Sequence, residues 1–225
     1  SHFNHRFYQK ILHNVDLSIN DEEKRIFAMI DLIESDFNRK DFPDVYQSLL
    51  AILDGQNKSL SQHAGSSLSE RDLLMFTFYK GGTSVLADAY LIKGSLSGKH
   101  ALFAYGYGII LQLADDLQDI EEDIMNQHDT PYNTSAKKML LDNQFLKHDS
   151  LIKHLMNEIY DKNNKKTIAL HQLLDRSISL LLFSGVSQNQ KLFSKTFMKK
   201  YLKSSMFSYR IFKKYNKKFM KKASL

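Results

Sequence analysis

Pro43 and Pro131 are the only prolines in 225 residues, and along the rest of the chain apolar residues recur at i, i+3, i+4 and i+7. A chain with so few breakers and that period is confined largely to helices, because a half-buried strand needs alternation with period two. Ile26, Met29, Ile30 and Ile33 form one apolar stripe, and Val45, Leu49, Ile52 and Leu53 form the next. Residues 73–92 and 100–125 are more uniformly apolar, which predicts two central helices buried on most faces. Further helices are predicted over 140–160 and 167–183, with one or two basic amphipathic helices over 191–222. Breaks are expected at 41–43, 59–69, 94–98, 129–133, 162–165 and 184–190. No internal repeat or linker composition interrupts the pattern, so the expectation is an all-α bundle forming a single domain over residues 1–225.

The formal charge of +6 conceals two opposite parts. All 25 acidic residues precede Arg176, whereas residues 176–225 carry 13 basic residues and no acid. The chain therefore reads as an acidic body with a cationic tail. There is no cysteine, which excludes disulfides, thiolate metal sites and cysteine nucleophiles. No stretch approaches the roughly 20 uninterrupted apolar residues of a membrane-spanning helix, and a soluble, cytoplasmic protein is expected.

The acids concentrate where a helix should be. Asp115, Asp119 and Asp123 are spaced i, i+4 and i+8, which stacks three carboxylates on one helical face with Asp116 and Glu122 beside them. A solvated helix usually dilutes such a row with lysine or arginine, yet residues 101–136 hold seven acids and no Lys or Arg. One reading is a merely acidic helix end; the other is that a hard divalent cation compensates the row. Mg²⁺ suits it, since that ion takes oxygen ligands, keeps several waters and bridges one or two carboxylates to phosphates. Just upstream, residues 101–114 are nearly all apolar and contain Gly106 and Gly108, which predicts a very close helix neighbour. Acids above an apolar helix suit a ligand with a diphosphate head and a hydrocarbon tail.

The run Gly108-xxx-Gln112-xx-Asp115-Asp116-xx-Asp119 resembles the second aspartate-rich motif of trans-prenyl diphosphate synthases. Its continuation through Glu122-Asp123 is similar to squalene and phytoene synthases, and the Asp115, Asp119, Asp123 spacing resembles the metal triad of class I terpene cyclases. The resemblance implies a class I isoprenoid (terpenoid) synthase-type bundle that ionises an allylic prenyl diphosphate, for terpene synthesis or prenyl transfer. It implies Mg²⁺ held by Asp115, Asp116, Asp119 and Asp123, with Asp115 and Asp119 catalytic and Gln112 in the substrate site. Homodimers also belong to that expectation. Tyr79-Lys80-Gly81-Gly82-Thr83-Ser84 resembles the interrupted helix whose lysine touches the diphosphate in this superfamily, which gives Lys80 that role; a plain kink at a packing contact is the alternative. Arg210 resembles the basic residues that close the diphosphate site.

The chain also departs from the superfamily. No DDxxD stands upstream, and Asp21-Glu22-Glu23 and Asp31-Leu-Ile-Glu34-Ser-Asp36 are poor substitutes for a first aspartate-rich motif. Either N-terminal or loop segments of the family fold are absent from this sequence, or the chain is a diverged, non-catalytic subunit or prenyl-lipid binder. Abrupt text at Ile19-Asn20-Asp21 and Asp129-Thr130-Pro131 fits joined ends.

In the tail, Phe193, Phe197 and Tyr201 fall at i, i+4 and i+8 among lysines. Such a helix packs its aromatics on the bundle and shows lysines to water, or lies on an anionic membrane as a peripheral contact. Nucleic acid is not an expected partner, since no recognition motif accompanies the charge and the acidic body repels phosphates. No HExxH, GxSxG or Ser-xx-Lys pattern supports zinc or hydrolase chemistry.

Overall fold

The computed structural model describes residues 2–63, 65–66, 68–158, 165–212 and 214. Ten helices run in chain order among the described residues: α1 (His2–His13), α2 (Asp21–Asp36), α3 (Pro43–Ser59), α4 (Glu70–Lys93), α5 (Gly98–Gln118), α6 (Ile120–Met125), α7 (Pro131–Ala136), α8 (Asp142–Glu158), α9 (Lys165–Gln188) and α10 (Lys195–Ser204). A 3₁₀ turn, Gln190–Leu192, separates the last two. No strand occurs among these residues, only an isolated bridge between His63 and His128, so the fold is all-α.

Helix starts explain the two abrupt places in the sequence. At Asn20 the backbone is extended, its side chain accepts from the Glu23 N–H, and the acids of the first turn follow, which is an ordinary capped start of α2. Thr130 and Asn133 form a reciprocal capping box with Pro131 at the first helical position of α7. The predicted break at 184–190 shifts to residues 189–194, because α9 continues to Gln188. The single helix expected over 100–125 is divided at Asp119 into α5 and α6. The break predicted at 162–165 and the end of the tail lie outside the described residues, apart from the start of α9 at Lys165 and exposed Lys214.

Two compact units emerge from the contacts, one comprising residues up to 61 together with 79–108, the other 62–78 together with the chain from 109 onward. In the first, Ile11, Ile30, Val45 and Tyr46 form a buried cluster against Phe7, Ile33, Phe37, Phe42, Tyr90 and Leu91. Arg6 pairs with Glu23, Arg39 with Glu34, and the buried Lys10 ammonium with Asp31, so the charges that the unit covers are matched. Within it, α4 and α5 approach so closely that a Cβ at Gly108 would stand 2.1 Å from the Gly81 carbonyl oxygen. A Cβ at Gly82 would likewise stand 2.6 Å from the Tyr105 ring. Gly94 closes α4 at φ +72°, with its N–H donating to the Tyr90 carbonyl at 2.7 Å.

The second unit buries Ile110, Leu113, Leu117, Ile120, Tyr132, Leu141, Phe145, Phe183 and Val186. Here α9 lies against α5, since a Cβ at Gly185 would meet Leu117 Cγ at 2.7 Å. Asn189, just past α9, donates from Nδ2 to the Leu117 carbonyl at 2.8 Å and so serves the last turn of α5. Phe145 of α8 meets Phe193, Phe197 and Tyr201 edge-on, with ring centroids 5.3 to 6.0 Å apart. The aromatic stripe of the tail is thus an inward face, as its spacing suggests.

Candidate functional site

The acidic row follows the C-terminal end of α5. Although Asp119 sits between two helices, the ladder runs on through it: its N–H donates to the Asp115 carbonyl at 2.9 Å, and the Asp123 N–H donates to the Asp119 carbonyl at 2.8 Å. The i, i+4, i+8 stacking of the three aspartates therefore survives the division at Asp119. Asp115 is exposed, while Asp119 and Asp123 are half-buried. Burial, followed by the charges of Asp115 and Glu122, raises the Asp119 carboxyl above its ordinary value. Neither Asp115 nor Asp119 makes an ion pair among the described residues. The local shortage of positive charge read from the sequence thus persists in three dimensions at these two residues.

Asp116 turns the other way. It is only 4% exposed, and its oxygens accept from Thr77 Oγ1 at 3.1 Å and Gln112 Nε2 at 2.9 Å. Gln112 also reaches Asp115 Oδ2 at 3.2 Å, so one neutral amide links the buried and exposed carboxylates. Beyond Asp116 lies a second buried polar group. Tyr132 is fully buried, with its ring edge-on to His148 at 4.8 Å, and its hydroxyl has no hydrogen-bond partner among the described residues. Burial, then Asp116 and Asp149, push the Tyr132 phenol well up. Burial holds His148 down at about 4, and its Nε2 lies 2.9 Å from Gln144 Nε2, whose amide donates to it.

Among the described residues no group of three or more His, Asp or Glu side chains is arranged to hold a metal ion. Of the row, Asp115 and Asp119 are the pair with the right chemistry: adjacent, accessible and short of positive charge. Two carboxylates suffice for Mg²⁺ when phosphate and water complete the shell.

Lys80 lies on α4, and Arg210 lies close to the end of the described residues. The resemblance implies an interrupted helix at Lys80-Gly81-Gly82, with a packing contact as the alternative; α4 runs unbroken from Glu70 to Lys93, as the helix predicted over 73–92 requires. The glycines serve close packing on α5, and their N–H groups belong to the helix rather than to an anion site. Lys80 is half-buried in the first unit. Arg210 is exposed in the second, on a helical turn over 209–212. Thr77, Tyr132, Gln144 and His148 were not singled out from sequence. A threonine in the apolar text of α4 is the signal that could have pointed to Thr77, while the others come together only through the packing of α7 on α8.

Compared with known proteins, the chain matches no family model, no curated protein and no solved structure. The likeness to isoprenoid synthases therefore stands on the residue pattern alone. No described helix is long and apolar enough to cross a membrane.

Proposed function

We propose that the chain is a Mg²⁺-dependent class I isoprenoid synthase that ionises an allylic prenyl diphosphate, built on the helical bundle of that superfamily. The observation that carries this reading is the pairing of Asp115 and Asp119 at the end of α5, where burial and like charge raise the Asp119 carboxyl and neither group has an ion-pair partner among the described residues. These two carboxylates would hold Mg²⁺, which when bound stabilises negative charge on a departing diphosphate. Gln112 orients Asp115 through its amide, and Asp116, fixed by Thr77 and Gln112, anchors that end of the helix. Asp123 extends the row by one turn. Lys80 and Arg210 enter as diphosphate contacts through the resemblance only.

Full-length protein incubated with Mg²⁺ and farnesyl or geranylgeranyl diphosphate, with and without isopentenyl diphosphate, should release diphosphate. Chelation should abolish release, and Asp115→Asn or Asp119→Asn should each lower it by roughly a hundredfold, as loss of a group that stabilises developing charge typically does. Absence of release from every substrate, with Mg²⁺ affinity unchanged in both variants, defeats the proposal. The second reading, a non-catalytic prenyl-diphosphate binder, is favoured by the unbroken α4; among the described residues, moreover, no three carboxylates are arranged to hold a metal ion. It requires Mg²⁺-dependent binding of the same diphosphates without turnover.

A further inference from the structure

The second unit carries a cationic surface unrelated to the acidic row. Helix α10 has two opposed faces. Phe197 and Tyr201 point inward onto Phe145, at ring distances of 5.5 and 5.3 Å. Lys195, Lys199 and Lys203 recur at i, i+4 and i+8 about 200° around the helix from that stripe, and all three are exposed.

The start of this helix is tied to the loop between α7 and α8. The Leu141 N–H donates to the Leu192 carbonyl at 2.9 Å, and the Ser194 N–H donates to Asp142 Oδ1 at 2.9 Å. Those bonds fix Leu141 and Asp142, and with them the end of the segment 138–140 that leads into α8, at the 3₁₀ turn and the N-cap of α10. There Met139 and Leu140 are 62% and 52% exposed, flanked by exposed Lys138 and Lys191. The nearby acids are already engaged: Asp142 accepts from Ser194, and Asp129 pairs with Lys137 at 2.8 Å. No acid follows Asp175 in the sequence to offset the lysines.

We infer that Lys191, Lys195 and Lys199, together with the apolar tip Met139-Leu140, form a docking surface for an anionic lipid bilayer. A row of lysines attracts the headgroups, and two neighbouring apolar side chains enter the interface, which is the composition that peripheral attachment requires. A soluble polyanion would gain nothing from exposed methionine and leucine, so the apolar pair selects the bilayer. The inference is independent of the metal reading, since it uses none of the acidic residues of α5.

The test is sedimentation of the full chain with phosphatidylcholine vesicles that contain or lack phosphatidylserine. Binding should require phosphatidylserine and fall steeply with added salt. Lys191→Glu/Lys195→Glu/Lys199→Glu should weaken it by about a hundredfold or more, since each basic residue near such a surface contributes roughly a fivefold factor. Met139→Ser/Leu140→Ser should weaken it several-fold at unchanged charge, while Lys93→Glu/Lys99→Glu in the first unit should leave it intact. Circular dichroism confirms that each variant is folded; a triple variant that fails to fold is replaced by the three single reversals, whose losses should multiply to the same factor. Equal binding to neutral vesicles, undiminished binding of the folded charge-reversal variants, or loss only when Lys217, Lys218, Lys221 and Lys222 are reversed overturns the inference. So does double-stranded DNA binding of equal strength through the same lysines with no effect of the Met139 and Leu140 changes.

Discussion

His148 shows what a buried titratable residue does to a helical bundle. Burial, then the neighbouring Lys147 charge, hold it at about 4 against an ordinary value of 6.5, so the folded protein keeps the ring neutral where an unfolded chain would protonate it. A base whose folded pKa is depressed contributes stability that is complete above 6.5 and is lost as pH falls toward 4. Thermal midpoints measured across that window should decline on acidification, with a slope from this residue of at most about 1.4 kcal/mol per pH unit. His148→Gln should flatten the decline, and an unchanged pH profile in that variant would show that the ring is not the group responsible. Asp116 differs from its neighbours on the same physical ground. Its place in a run of acids was legible, yet its burial was not, because a carboxylate in the interior depends on a donor from a distant segment, here Thr77.

At the scale of elements, the all-α architecture and the limits of α3, α4 and α8 were readable because apolar period and breakers both act locally, whereas α1 and α7 were not read as helices. Of the two readings of Gly81 and Gly82, the packing contact has its cause outside α4: glycine weakens a helix by its own propensity, but the contact with α5 repays that loss. Gly108 makes the point testable. A methyl there would press on a backbone carbonyl rather than on a flexible side chain, so Gly108→Ala should destabilise the protein by about 1–3 kcal/mol or more in chemical denaturation. Gly98→Ala, at the first position of the same helix with open space around it, should be neutral or slightly stabilising. Equal effects at the two positions would contradict the close helix contact. The division of the long helix at Asp119 was likewise hidden, since nothing in the residues 100–125 announces it and Asn189, which meets Leu117 there, is 72 residues away.

For the whole molecule, the charge distribution links the acidic row to global stability. With no cation bound, ionised Asp119 stands near Asp115 and Glu122, and an acid whose folded pKa is raised favours folding below its unfolded value and less so as pH rises through the folded one. At neutral pH and with chelator present, Asp119→Asn should therefore raise stability by roughly 0.5 kcal/mol, the usual scale of a like-charge pair one helical turn apart. Added Mg²⁺ should raise the melting temperature of the unaltered protein and leave that of the variant unmoved. A magnesium response of equal size in both would separate the ion from Asp119. Asn189 gives this balance its character. The last turn of a helix carries the negative end of its peptide dipoles and commonly ends against lysine or arginine, but α5 receives a neutral amide there. An amide fills a carbonyl's need for a donor without cancelling any charge, so that end of α5 keeps the full negative potential of its own peptide dipoles alongside the carboxylates of Asp115 and Asp119.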